Sequence, residues 1–395
     1  MEFGFTKEQE EFRQELRSFL ESEMPSHLIM PVINPAEDLY RDEVWALHKI
    51  MARKMGKRGW LSMTWPKKYG GMEADEMMSC IFQEEIRYHA APGWDPQGVN
   101  MVAPLLMNFG TAEQKEKHIP PIARGEVFWC EGYSEPDVGS DLASVRTTAV
   151  EKGDGFVING QKLWTSGANK TDWCHMLVRT DRKAPKKHRG LTYFLVDMRT
   201  EGITVRPITD MCSGSSLCEV FFDDVEVPPE GVLGGVNNGW QMAMALLNFE
   251  RNADVGGAAM MRRFFELVTD YLKKRDLLSD PIVQHHLADI FIDIETSRLM
   301  AYRLVGSAKE GAKADASARA SMSKLFGSEA SQRVSNTMLN LLGTYGQIEK
   351  DPELEVLQGR IGHWYLQSFT STLARGTSEI QRNILATRGL GLPRR

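Results

Sequence analysis

The stretch MAMALLNFERNADVGGAAMM (residues 242–261) sets a carboxylate and a guanidinium, Glu250 and Arg251, in a run that is otherwise almost all apolar or small. Charged side chains are rarely buried without a partner or a task. On a helix Glu250 shares its face with Leu246, Leu247, Ala253, Asp254 and Gly257, and the glycines and alanines leave room for something to approach. Two readings stand: a structural ion network, with Arg251 reaching Asp254, or a charge with chemistry to perform. Three other segments carry reactive or ligand-binding side chains. EGYSEPDVGSDLASV (131–145) is a tight, hydroxyl-bearing loop whose N–H groups can meet a ligand, or a plain turn. KLWTSGAN (162–169) puts an aromatic beside two hydroxyls at a strand end, where Trp164 also fits a core role. RGTSEIQRN (375–383) reads as a phosphate-approach loop or a simple helix cap. GVLGGVNNG (231–239) lacks both the GxGxxG spacing and the βαβ context, which excludes a Rossmann site there.

The elements that must position these residues follow from periodicity. Thr6-x-x-Gln9 is a capping box before the helical EEFRQELRSFLESE, and RDEVWALHKIMARKMGKRGW is a second helix. Pro120-Pro121 helps close this helical region. Beyond about residue 126 the period changes to two. GFVINGQKLW reads as strand–turn–strand about Asn159-Gly160, and HMLVRT, LTYFLVDM, ITVRPI and CEVFFDDVEV are further strands. After Pro228-Pro229 the period returns to 3.6, with Leu287, Ile290, Phe291, Ile294, Ala301 and Leu304 on one face of a long helix. Helices of this kind bury their stripes in a four-helix bundle. The expected fold is α+β: a helical domain (1–125), a β-barrel-like domain (126–234) and a C-terminal helical bundle (235–395).

The chain has 395 residues, 42% hydrophobic and 25% charged, the balance of an ordinary soluble protein of two or three lobes. A net charge of −6 gives no nucleic-acid footprint, and no apolar run approaches a membrane span. The acidic, amphipathic start MEFGFTKEQEEF is unlike a secretory or transit peptide. Five cysteines (80, 130, 174, 212, 218) form no CxxC pair, which favours reduced thiols and a cytoplasmic location. The nine histidines show no ligand spacing, so no metal site is expected.

Taken in order along the chain, SEPDVGSD, KLWTSGAN, FFDDVEVPPEGVLGG leading to GWQMAMALLNFER, QHHLADIFIDIETSRLMAYR and RGTSEIQRNILATRGLGLP resemble the acyl-CoA dehydrogenase family over essentially the whole chain. The resemblance implies FAD, held non-covalently, and dehydrogenation of an acyl-CoA thioester to a 2-enoyl-CoA, with electrons passed to an electron-transfer flavoprotein. An oxidase on the same fold is the alternative, as is a partner subunit of a mixed α2β2 enzyme. Tyr133, Ser134 and Ser140 match the loop bordering flavin and substrate. Trp164, Thr165 and Ser166 match the strand end packed on the isoalloxazine ring, and Thr377 and Glu379 match the C-terminal flavin loop.

Many members carry the catalytic glutamate just before Gly-Thr, where this chain has Arg375, which cannot act as a base at neutral pH. A minority place the base on the bundle helix immediately before an arginine. Glu250-Arg251 matches that site, so the resemblance implies that Glu250 is the general base, Arg251 steadies it and Asn248 borders the acyl or pantetheine chain. The backbone N–H of Arg375 matches the family's oxyanion donor. The family's Arg-x-x-Phe-Gly segment, which reaches a neighbouring subunit's FAD, is only partly matched: KKRDLLSDPIVQHH keeps Arg275, lacks Phe-Gly and is several residues shorter. A homotetramer is implied, with a heterotetramer of two related chains as the variant that shortening suggests. RTDRKAPKKHRG (179–190) carries six Lys/Arg against one Asp, either a solvated hairpin loop or an attraction for coenzyme A phosphates.

Overall fold

The first helix, α1 (Lys7–Glu23), starts at the expected box: the Gln9 N–H donates to Thr6 Oγ1, and the Thr6 N–H donates to Gln9 Oε1. The computed structural model describes residues 4–25, 38–252, 256–307, 313–348, 351 and 356–393; the side chains of 38, 248–252, 307 and 313–316 lie outside that description. Three helices follow, α2 (Asp42–Lys57), α3 (Glu76–Tyr88) and α4 (Ala103–Phe109), the last entered from a π-helix at Gln97–Val102. In α5 (Ala112–Ala123) Pro120 and Pro121 sit inside the last turn, so the helix ends three residues beyond the first proline rather than before it.

The strands are β1 (Trp129–Gly132), β2 (Thr148–Lys152), β3 (Gly155–Lys162), β4 (Trp173–Arg179), β5 (Leu191–Asp197), β6 (Ile203–Ile208), β7 (Leu217–Val227) and β8 (Val232–Leu233). They form one sheet in the order β6-β7-β3-β2-β4-β5-β8, with β1 alongside β4. The helices then resume: α6 (Gly239–Asn252), α7 (Gly257–Lys274), α8 (Pro281–Ser307), α9 (Lys313–Leu341), α10 (Arg360–Leu373) and α11 (Ser378–Ile384).

The Asn159-Gly160 turn is not formed. Both residues lie within β3, and the hairpin reverses at Gly153-Asp154, where Gly153 adopts φ 59°. The β3–β7 register shifts between Ile158 and Gly160, a bulge at which the Asn159 amide donates to Asp224 Oδ1 and accepts from the Asp224 N–H. A Cβ on Gly160 would come within 2.6 Å of Thr147 Oγ1, so the glycine serves close strand packing and not a reversal.

The chain forms two compact units. One holds α2, α4, α5, the sheet and α6, with a core of Cys130, Ile158, Met176, Phe194, Val220 and their neighbours inside the sheet. Met242, Ala243 and Leu246 bury one face of α6 in this unit. The other holds α1, α3 and α7–α11. There α7, α8, α9 and α10 share one core, centred on Phe264 stacked on Trp364 with Val268, Ile294, Val334 and Ile361. Along α8 the expected stripe is buried at Leu287, Ile290, Ile294, Ala301 and Leu304, while Phe291 stands at its edge, 36% exposed. Among the described residues no helix is long and apolar enough to cross a membrane.

Candidate active site

The loop after β1 is held by a buried ion pair that the sequence reading missed. Lys162, fully buried in β3, donates to Glu135 Oε1 at 2.8 Å and to the carbonyls of Leu177 (2.8 Å) and Tyr133 (3.2 Å). Glu135 also accepts from the backbone N–H groups of Arg146 (2.6 Å) and Thr147 (3.0 Å). Burial pushes the Lys162 pKa down, and Glu135 answers it in part. Burial alone would raise the Glu135 pKa, but the Lys162 charge and these hydrogen bonds hold it below the usual carboxylate range. The signal was present in the quoted motifs: a lysine on the core-facing side of a strand needs a fixed partner.

Tyr133 is buried, and its hydroxyl donates to the Tyr193 hydroxyl at 3.2 Å. Tyr193 lies 2.7 Å from His175 Nδ1, and His175 Nε2 lies 3.0 Å from Gln97 Oε1. Gln97 offers an acceptor, so Nε2 carries the proton, and Nδ1 accepts from Tyr193. Complete burial holds His175 neutral, its pKa pushed down to about 3. His175 and Tyr193 alternate along β4 and β5 with the core residues Met176 and Phe194, and their network holds the Tyr133 hydroxyl.

Ser134 takes the Leu163 N–H on its carbonyl at 2.8 Å, and Ser140 is exposed at the loop tip. Trp164 has φ 61° and stands 53% exposed, which removes it from the core. Thr165 is completely buried, pinned by backbone exchange with Cys218 (3.0 and 3.2 Å), yet its hydroxyl has no hydrogen-bond partner. Ser166 is exposed. An indole offered to solvent beside an orphaned hydroxyl fits a planar, polar-edged ligand such as a flavin.

The basic segment is partly structural. Arg179 donates to the carbonyls of Ala143, Val145 and Lys187, and Lys187 reaches Ser144 Oγ at 2.8 Å, so two of the six cations brace the 141–146 loop. Arg182, Lys183, Lys186 and Arg189 remain exposed.

In the bundle unit, Thr377 caps α11 by accepting the Ile380 N–H at 3.3 Å, and Glu379 lies exposed in the first helical turn. Ser378 Oγ is buried without a partner, a second group that a bound ligand could satisfy. Arg375 adopts φ 58° and borders a cavity of about 160 Å³ with Arg87, Gly256, Met260, Ser297 and Ser331. Arg87 also packs closely on Gly256, where an added Cβ would come within 2.2 Å of its Cγ. Arg275 ends α7 with its guanidinium over its own Tyr271 ring, 5.0 Å from the centroid, and only six residues separate α7 from α8. The backbone of Asn248, Glu250 and Arg251 is helical in α6, while their side chains, and Ala253 and Asp254 entirely, lie outside the described residues.

Family models match all three parts of the chain: the acyl-CoA dehydrogenase N-terminal domain at 6–126, middle domain at 130–225 and C-terminal domain at 237–390. Acyl-CoA dehydrogenase FadE26 of Mycobacterium tuberculosis is 34% identical over 404 residues, covering 100% of this chain and 99% of that protein. The crystal structure of the ChsE4-ChsE5 complex from Mycobacterium tuberculosis matches with a TM-score of 0.89 and 33% identity over 100% of both chains. The Tcur3481-Tcur3483 steroid ACAD matches with a TM-score of 0.91 and 32% identity, again over 100% of both chains. With each of its three parts matched in order and relatives aligned from end to end, the chain is an oxidoreductase that belongs to the acyl-CoA dehydrogenase family.

Proposed function

We propose that the chain catalyses FAD-dependent α,β-dehydrogenation of an acyl-CoA thioester to a 2-enoyl-CoA, with electrons passed on to an electron-transfer flavoprotein. One observation carries this reading. The position before Gly376-Thr377 holds Arg375, which cannot take a proton, while α6 carries the carboxylate Glu250 in a small-residue setting. Glu250 removes the α-proton of the thioester, and the negative charge that develops on the thioester oxygen is met by the Arg375 N–H. FAD, when bound, supplies the acceptor for the β-hydrogen.

By the family resemblance, Tyr133, Ser134, Ser140, Trp164, Thr165, Ser166, Thr377, Glu379 and Arg275 are the residues that would hold it. The partnerless Thr165 hydroxyl supports this assignment. Asn248, Arg251 and Ser140 are assigned to the acyl-CoA, and the exposed Arg182, Lys183, Lys186 and Arg189 to the attraction of its phosphates. Anaerobic addition of an acyl-CoA panel to the FAD-loaded protein tests the reading; the panel includes straight-chain, branched and steroid-derived thioesters. Bleaching of the flavin by at least one member is the expected outcome, and no bleaching by any, alone or with related partner chains, rejects it.

A second reading concerns assembly. The short α7–α8 connection, and neighbours whose structures pair two chains, support a mixed tetramer beside the homotetramer.

A further inference from the structure

Arg375 and Gly376 are consecutive left-handed residues, at φ 58° and 86°. For arginine this conformation is strained, and it persists only where the surroundings over-determine it. The surroundings here are specific. On the preceding side, the Ala374 N–H donates to the Thr370 carbonyl at 2.9 Å, closing α10. On the following side, Gln381 Nε2 donates to the carbonyls of Arg375 (3.0 Å) and Gly376 (3.2 Å), and Lys324 Nζ donates to the Gly376 carbonyl at 2.8 Å. Gln381 is completely buried and Lys324 is 4% exposed.

A Cβ at position 376 would come within 2.7 Å of Gln381 Nε2, so glycine is what admits the amide to both carbonyls. Gln381 Oε1 finds no partner, so the donor end of the amide is what this packing retains. Peptide units are planar. With anchored groups on both sides, the Ala374–Arg375 peptide between them has its direction set.

We propose that Lys324 and Gln381 are positioning residues that aim the Arg375 N–H at the thioester oxygen. The proposal rests on the dehydrogenase reading above, in which that N–H is the oxyanion donor. Neither side chain touches the substrate; each acts through the backbone of residues 375–376. Lys324 adds to Gln381 the anchor that a neutral amide alone supplies less strongly, a charge-assisted bond to a carbonyl.

The test uses the full-length, FAD-loaded protein and a 3-thiaacyl-CoA of the chain length that best bleaches the flavin. Bound as its enolate over oxidised flavin, this analogue gives a long-wavelength charge-transfer band, and titrating the band with pH reads oxyanion stabilisation directly. Lys324→Met and Gln381→Leu should retain FAD and bind the analogue, while the enolate pKa rises by about one unit and kcat falls about tenfold with little change in KM, a fraction of the loss from removing an oxyanion donor outright. Lys324→Arg, which restores a cationic donor, should recover most of both. FAD-loaded Lys324→Met and Gln381→Leu with the wild-type enolate pKa would overturn the proposal. If those variants lose FAD, Gln381→Asn takes their place, and a wild-type pKa there overturns it equally. Failure of the dehydrogenase reading is separate and visible first: the wild-type protein would then show neither the band nor bleaching.

Discussion

At the scale of single residues, the proposed chemistry is divided between the Glu250 carboxylate and the Arg375 N–H. Glu250→Gln keeps volume and hydrogen bonding and removes only the carboxylate that accepts the α-proton. Turnover should fall by roughly 10²–10⁴-fold while FAD content and substrate binding persist, as general-base loss requires. A purely structural ion network would instead lose stability and keep activity per folded molecule. Flavin reduction by the best acyl-CoA, followed in a stopped-flow instrument, separates the two. Arg375→Glu, added to Glu250→Gln, serves as the control: position 375 lies on a strained, anchored backbone that serves the N–H, and the double variant should stay inactive.

At the scale of elements, the loop after β1 depends on β3. Lys162→Met leaves the Glu135 carboxylate buried against two backbone donors without its cation. Removing one member of a buried pair costs about 3–5 kcal/mol. Chemical denaturation should show this loss, and FAD release on dilution should quicken because the Tyr133 carbonyl loses its anchor. The double variant Lys162→Met/Glu135→Leu should regain part of the stability, since no unpaired charge then remains. A short β3 with a hairpin turn at Asn159-Gly160 would have ended before this lysine; the continuous strand and its bulge place it in the core.

At the scale of the whole molecule, three buried histidines couple stability to pH. Burial holds His48, His118 and His175 neutral, with pKa values pushed down to about 3, 4 and 3. In the unfolded chain each takes up a proton near pH 6.5. Between the folded and unfolded values the unfolded state binds more protons at these histidines, so their contribution to stability is full above about pH 6.5 and falls as pH drops toward 4, offset in part by buried Asp95, whose pKa, raised to about 7, acts in the opposite direction. Each histidine contributes a slope of about 1.4 kcal/mol per pH unit. Thermal unfolding at pH 7 and pH 5 should show the drop, and His175→Gln should flatten it by one proton's share. Assembly belongs to the same scale. Light scattering on the protein alone should give the mass of a tetramer, and FAD occupancy that rises only with a related second chain would favour the mixed form.

The sequence by itself determined the periods, and with them the three-part order of helices, strands and helices. Local rules suffice there: the Thr6–Gln9 box starts α1 as read, and the strand segments from 173 to 227 form close to their expected bounds. Its short motifs, taken in order, also carried the family resemblance, because reactive side chains and turn residues cluster in the loops that bear them. Tertiary structure decided what those local rules do not encode. Asn-Gly favours a reversal, yet packing against Thr147 and Asp224 turned that dipeptide into a bulge and moved the reversal to Gly153-Asp154. Trp164 suits a core equally well by composition, and only the left-handed turn brought it to the surface. Lys162 with Glu135, His175 with Tyr193, and Lys324 with the Gly376 carbonyl are separated by 27, 18 and 52 residues. Polar partners so far apart are chosen by desolvation once the chain is folded: a buried donor must find whichever acceptor the packing leaves nearby.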